Sequence, residues 1–373
     1  MEKNISPHAA AGRPQDGSAA VHPDARRGRG TLSNGAGRFE RFGNVAVDDG
    51  WDSLEEASSL NTHVTEEAAR TIITRNASPD IPFDRSINPY RGCEHGCTYC
   101  FARPTHSYMG LSAGLDFESR LFAKPNAPDL LRAELSRPGY EPKPIAMGTN
   151  TDPYQPIEQE YRLTRRILEV LNEFNHPVTI VTKSARIARD LDILAPMAAR
   201  GLARVSISVT TLDGKLARTM EPRAATPTRR FEAMRLLNAS GVPTGVMVAP
   251  IIPALNDMEI EKILAGAHYA GATSAGYVLL RLPYEIKDLF AEWLAANVPD
   301  RAQHVMSLIR SMRGGKDYDA EWGKRMKGDG PYAWQIARRF EIATRRLGFN
   351  KPGRRLDCTQ FQVPGRGVQL SLL

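Results

Sequence analysis

The stretch Cys93-Glu94-His95-Gly96-Cys97-Thr98-Tyr99-Cys100 places three of the chain's four cysteines within eight residues, and the fourth, Cys358, lies far downstream. Thiolates are soft ligands that suit iron–sulfur clusters or zinc. A loop this short brings three sulfurs to one centre only by wrapping around it. No fourth cysteine is close by, so a [4Fe-4S] cube held here keeps one iron free of protein ligands and open to a small molecule. The run departs from the two-cluster ferredoxin pattern, Cys-x2-Cys-x2-Cys-x3-Cys-Pro. The alternative is a Cys3His zinc site with His95 as fourth ligand, at a spacing tighter than zinc ligands usually show.

Downstream of this loop, short apolar runs of β type alternate with longer amphipathic stretches. Pro144–Met147, Val178–Thr182, Val205–Thr210, Gly245–Pro250 and Tyr277–Leu282 read as strands. Between them, Ile157–Phe174 carries helical spacing in Tyr161, Ile167, Leu168 and Leu171. Such alternation predicts an α/β fold with a parallel sheet and right-handed crossovers. With a strand before the cysteine loop, six βα units occupy residues 86–297. Residues 298–345 read as helices, with Val305, Leu308, Ile309 and Met312 in phase.

The Cys-x3-Cys-x2-Cys spacing, with the aromatic Tyr99 directly before the last cysteine, resembles the signature of the radical S-adenosylmethionine (radical SAM) superfamily. The resemblance covers the six-unit span and implies a (βα)6 partial TIM-type barrel. It also implies a [4Fe-4S] cluster on Cys93, Cys97 and Cys100, with SAM chelated at the open iron and Tyr99 near the adenine. In that family an electron from the cluster splits the sulfonium, and the 5'-deoxyadenosyl radical abstracts hydrogen from a substrate. A reductant such as flavodoxin or ferredoxin is the implied partner.

Ligands of parallel α/β proteins sit at the carboxyl ends of the strands. After the second strand comes Gly148-Thr149-Asn150-Thr151-Asp152, where the family holds the SAM amino group. Thr151 and Asp152 are the candidates, and helix capping is the alternative for both. Lys183, after the third strand, is placed to reach a carboxylate or phosphate, and Ser184 reads as an N-cap. On the fourth strand Ser206, Ser208 and Thr210 alternate inward. Ser208 and, downstream in Glu221-Pro222-Arg223, Arg223 are the candidate contacts to SAM, with structural roles open for both. The apolar end of the fifth strand faces the adenine in this reading, and Asn256 and Asp257 read as a helix cap or a polar substrate contact. Arg281, at the end of the sixth strand, calls for an anion, from a ligand or from an internal ion pair.

Composition sets the frame. The 373 residues carry a net charge of +7, and residues 298–373 hold 15 Lys and Arg against 7 Asp and Glu, leaving the remainder near neutral at 34 against 35. A basic extension attracts phosphate backbones or simply solvates a helix face. No apolar stretch reaches 18 residues and the N-terminus lacks an apolar signal core, so no membrane association is expected, and free thiols point to the cytoplasm. Residues 1–45, rich in Gly, Ala, Arg and Pro, read as a disordered tail, 46–85 as a lead-in, 86–297 as the barrel and 298–373 as a basic helical extension. Oligomeric state is not legible.

Within the superfamily, Tyr99–His106, Thr151-Asp152-Pro153 and Val181–Ser184 resemble the spore photoproduct lyase-like group. Two departures separate this chain from a lyase that repairs thymine dimers in DNA. Phe101 replaces a tyrosine directly after the last cluster cysteine, and no cysteine lies between Cys100 and Cys358 to donate hydrogen. Cys358 is the candidate catalytic thiol if the C-terminal tail reaches the barrel mouth. Three functions stay open: radical chemistry on a bulky, possibly nucleic-acid, substrate; radical modification of a protein or small metabolite; and a zinc-stabilised nucleic-acid-binding module.

Overall fold

The computed structural model describes residues 20–21, 23, 26–40, 60–352 and 355–365. Six parallel strands form its centre: β1 (Arg85–Ile87), β2 (Ile145–Met147), β3 (Val178–Thr182), β4 (Ala203–Ser208), β5 (Thr244–Ile251) and β6 (Ser274–Leu279). They lie side by side in sequence order, and Ile73–Arg75 adds antiparallel to β1. Because β6 and Ile73–Arg75 remain the two ends of the sheet, the barrel is partial and open on that side.

Each strand leads to a helix: α1 (Ala127–Leu135), α2 (Leu163–Glu173), α3 (Leu191–Ala199), α4 (Pro227–Ala239), α5 (Ile260–Tyr269) and α6 (Ile286–Asn297). Residues three and four apart give each helix one apolar stripe. Thus Ile167, Leu168 and Leu171 of α2 and Ala233, Met234 and Leu237 of α4 enter one core with Ile180, Val205 and Val246 of the sheet. Thr226 caps α4 and Pro227 opens it, where its missing N–H costs nothing.

Three differences from the expected elements matter for the site. The last three strands begin two, one and three residues early, so that β6 includes Ser274, Ala275 and Gly276. Small residues are required there, since a Cβ at Gly245 would meet the Ser274 hydroxyl at 2.4 Å. Arg281 therefore lies two residues beyond β6, at the mouth. The single helix expected over Ile157–Phe174 is broken at Arg162, which is left-handed (φ 52°). Glu158 causes the break: its carboxylate accepts Thr164 N at 3.0 Å and Arg165 N at 3.3 Å, capping α2 from inside the fold.

The third difference is the long excursion between β1 and α1. It holds the cysteine loop, a 3-10 turn over Arg103–Met109, and a small sheet of Tyr90–Arg91, Arg120–Ala123 and His63–Glu66. Within the stretch expected as a tail, residues 26–40 lie against this excursion, and Thr31 is fully buried. The rest of residues 1–45 falls, with few exceptions, outside the described residues.

The C-terminal extension is helical as expected, with α7 (Pro299–Ser311) and α8 (Pro331–Leu347). Ile336, Phe340 and Ala343 of α8 belong to the main core, so the extension is continuous with the barrel. Several of its basic side chains are in ion pairs: Arg310 with Asp317, Arg325 with Asp80, Arg338 with Glu341 and Arg339 with Glu261. No helix among the described residues is long and apolar enough to cross a membrane.

Candidate active site

Two glycines shape the cysteine loop. Gly92 (φ 75°) and Gly96 (φ 66°) are left-handed, and a Cβ at Gly92 would strike Leu121 at 2.5 Å, so neither position tolerates a side chain easily. Cys93 N donates to Phe117 O at 2.9 Å and Thr98 N to Met220 O at 3.0 Å. Cys93 and Cys97 are buried and Cys100 is partly exposed. Burial, then Asp152 and the neighbouring thiols, pushes Cys93 well above the ordinary thiol range. Burial also pushes Cys97 up to about 12, opposed by the Lys183 ammonium.

Beneath the loop runs a buried polar frame that sequence reading missed. Arg103 is fully buried and gives Nε to Cys97 O at 2.8 Å, Nη1 to Ala113 O and Gly114 O, and Nη2 to Glu118 Oε1 at 2.6 Å. Glu118, also fully buried, accepts Gly30 N at 2.8 Å and Thr31 N at 3.0 Å from the N-terminal segment. Gln155 clamps the loop from the other side, accepting Glu94 N at 3.0 Å and donating to Gly92 O at 3.1 Å. Buried polar groups satisfied in this way hold a single geometry.

Inside the barrel, Tyr99 donates its phenol to Glu221, which also accepts Thr210 Oγ1 at 2.6 Å and pairs with the buried Arg230. Burial alone would raise Glu221; Arg230 and Lys183 instead hold it at about 2. The Lys183 ammonium lies 5.7 Å from the centre of the Tyr99 ring. Burial opposes its charge, but Cys97 and Glu221 keep it raised and charged. Leu255, Leu280, Leu282 and Ile252 form an apolar wall beside Cys97 and Tyr99.

The remaining sequence candidates fall as follows. Asp152 Oδ1 accepts Thr182 Oγ1 at 2.7 Å and Tyr154 N at 2.9 Å, while Oδ2 accepts Lys183 N at 2.8 Å and lies 3.4 Å from His95 Nδ1. Both oxygens are engaged, so Asp152 ties the β2 and β3 ends to the cysteine loop instead of presenting a free carboxylate. Thr151 donates to Tyr90 O at 3.3 Å and is buried. Ser208 is buried at the end of β4, its carbonyl accepting Arg230 Nη1 at 3.0 Å. Arg223 gives Nη1 to Glu94 at 2.6 Å and stays partly exposed. Ser184 is an N-cap, as read, and His106 is structural, its Nε2 2.9 Å from Arg120 O.

Cys358 requires the clearest correction. Its neighbours Asp357 and Gln360 bond to Gly201 O and Arg200 O, which precede β4, and Gln362 N bonds to Phe174 O, which precedes β3. The thiol therefore lies at the amino ends of the strands, on the opposite face from the cysteine loop. Residues 355–365 do not fold over the mouth, because Phe361 packs against Tyr140, Phe174 and His176.

Three cysteines on one glycine-shaped loop supply the soft donor set that an iron–sulfur cluster uses, without a fourth protein thiol beside them. Among the described residues, no three His, Cys, Asp or Glu side chains gather as the ligands of a metal ion would, and His95 is directed at Asp152. The family model of the Radical SAM superfamily matches residues 87–265. The chain belongs to the radical SAM superfamily. A radical SAM protein is an enzyme that uses SAM and an iron–sulfur cluster. An uncharacterised protein of Mycobacterium tuberculosis is 37% identical over 232 residues, which span 62% of this chain and 68% of its own. One from Methanocaldococcus jannaschii is 30% identical over 173 residues, spanning 46% and 62%.

Among solved structures, spore photoproduct lyase complexed with dinucleoside spore photoproduct superimposes at TM-score 0.55 with 15% identity, covering 77% of this chain and 80% of that one. A further lyase structure, with bound AdoMet and the same dinucleoside, gives 0.53 and 16%, covering 76% and 78%. At this identity the likeness establishes the shared fold of the radical SAM core.

Proposed function

We propose that Cys93, Cys97 and Cys100 hold a [4Fe-4S] cluster whose open iron takes SAM, and that the enzyme acts on a nucleic-acid strand. When bound, the cluster supplies the electron that splits the SAM sulfonium and frees a 5'-deoxyadenosyl radical for hydrogen abstraction. The protein's part is to bind, orient and exclude water. Arg103, Glu118 and Gln155 fix the backbone of the loop that carries the three cysteines. Tyr99, locked by Glu221 and Thr210, forms the wall beside the adenine. Lys183, a charged ammonium beside Cys97, is the partner for the SAM carboxylate. Ser208 lies within the same barrel end. The apolar wall keeps solvent from the radical.

The single observation that carries the cofactor reading is the placement of Tyr99, within the three-cysteine loop, 5.7 Å from the Lys183 cation that follows β3. For the substrate, the support is a pocket of about 450 Å³ lined by Gln159, Arg162, Arg186 and Arg189, in which Arg189 is paired with Glu158 and Asp190 and Arg162 and Arg186 carry the positive charge a phosphate would meet. The lyase-like fold, solved elsewhere with a dinucleoside, is in keeping with a strand at this mouth. Repair by the lyase's own hydrogen relay is not proposed, since Phe101 lacks a phenol and Cys358 faces away. A reducing cytoplasm and a flavodoxin or ferredoxin as electron donor complete the reading.

Anaerobic incubation with SAM, dithionite and deuterated oligonucleotides tests it. Deuterium in 5'-deoxyadenosine supports the nucleic-acid reading. Deoxyadenosine that stays unlabelled with every oligonucleotide, but takes label from a peptide or metabolite, contradicts it.

A further inference from the structure

Arg281 leaves β6 at the mouth and turns over the cysteine loop. Its guanidinium carbon lies 4.9 Å from the centre of the Phe101 ring, and Phe101, directly after Cys100, is 45% exposed. The guanidinium is poorly satisfied. Nη1 meets the Met326 sulfur, a weak acceptor, at 3.5 Å, and Nη2 meets the Tyr318 hydroxyl at 3.5 Å, the outer limit of an N–H···O bond. Nε is buried with no partner.

Neighbouring groups show that this is particular to Arg281. Arg313 gives Nη1 to Lys324 O at 2.6 Å and Nη2 to Leu280 O at 2.9 Å. The nearby acid, Asp80, is already taken by Arg325 at 2.5 Å and by Gly323 N at 2.7 Å. These last contacts tie residues 323–325, beside β6, to the loop after Ile73–Arg75. The segment thus bridges the open side of the barrel, and Arg281 stands between that bridge and the cysteine loop. Among the described residues no carboxylate pairs with Arg281. Asp80 lies near enough for the Arg281 charge to act on it, yet makes no direct ion pair with it, and a partly buried guanidinium without a direct partner is costly unless a ligand supplies the anion.

We propose that Arg281 and Phe101 form the subsite that grips the substrate strand. The guanidinium fork takes the oxygens of a phosphodiester, and the exposed ring stacks the adjoining base. This deepens the nucleic-acid reading above and rests on it. The pair also sets position: it borders Cys100, the partly exposed thiol, so a strand held here lies against the site of radical release.

The test is anaerobic titration of a fluorescein-labelled thymidine oligonucleotide into the cluster-loaded enzyme at several salt concentrations. Iron content and circular dichroism report whether each variant keeps its fold. Arg281→Ala is expected to weaken binding about tenfold or more and to reduce the salt slope by about one phosphate contact. Phe101→Ala should weaken it about tenfold with the slope unchanged, and Phe101→Tyr should restore it. Arg281→Gln, closer in size, gives the same loss if packing around the ring is not the cause. Equal affinity and slope in wild type and both Arg281 variants would overturn the subsite while leaving the nucleic-acid reading intact. Absence of binding by the wild type, with deoxyadenosine still formed, would overturn both.

Discussion

Arg103 and Glu118 form a salt bridge at 2.6 Å with neither side chain exposed to solvent. One end of this pair holds the Cys97 carbonyl and the other holds Gly30 and Thr31, so the pair joins the N-terminal segment to the cysteine loop. Removing one partner leaves a buried charge uncompensated. Glu118→Ala should therefore cost about 3–5 kcal/mol, read as a lower urea midpoint at unchanged slope, and the variant should retain less iron after reconstitution. Wild-type stability together with full iron would show that the frame is dispensable.

Lys183 is expected to act on SAM affinity and not on the cluster. Lys183→Ala removes one charged partner, worth about 1.5–3 kcal/mol, and should raise the KM for SAM about 10- to 100-fold while iron content stays that of the wild type. Lys183→Arg should recover part of the loss. An unchanged KM in Lys183→Ala would place the carboxylate elsewhere.

His176 gives stability a pH dependence far from the active site. It is fully buried, with Nδ1 3.0 Å from Pro177 O and Nε2 2.9 Å from the Tyr140 hydroxyl, and burial lowers its pKa from 6.5 to about 4. The unfolded chain then binds the proton more tightly. The stabilisation is complete above pH 6.5 and is lost as pH falls toward 4. Between pH 7 and 5 His176 contributes a loss of about 2 kcal/mol. Urea unfolding at the two pH values should show this difference shrinking by about that amount in His176→Asn.

Cys358→Ser should leave deoxyadenosine formation and the deuterium pattern unchanged, because its neighbours anchor it at the amino ends of β3 and β4. Loss of product in this variant, with a normal melting curve, would place the tail at the mouth after all.

Much of this architecture is legible in sequence because its signals are local. The cysteine spacing, the aromatic before Cys100 and the alternation of apolar runs with helical stripes each lie within one element. The polar frame is different. Glu118 meets Gly30 across 88 residues and Arg223 meets Glu94 across 129, and no periodicity announces such pairs. The segment Glu221-Pro222-Arg223 shows the consequence: the arginine attracted attention as an anion binder, whereas Glu221 is the residue that faces Tyr99 and Lys183. Asp152 was legible as a carboxylate near the site, but only the fold reveals that Thr182, Lys183 and Tyr154 occupy its oxygens. Cys358 misled because sequence gives no information on which end of a barrel a tail returns to.

Anaerobic reconstitution with iron and sulfide, followed by electron paramagnetic resonance of the reduced protein with and without SAM, tests the central claim most directly. The account predicts about four irons and four sulfides per chain, a reduced-cluster signal that shifts on adding SAM, and loss of that signal in Cys93→Ala, Cys97→Ala and Cys100→Ala alike. Stoichiometric zinc without iron, or a cluster signal indifferent to SAM, would contradict it.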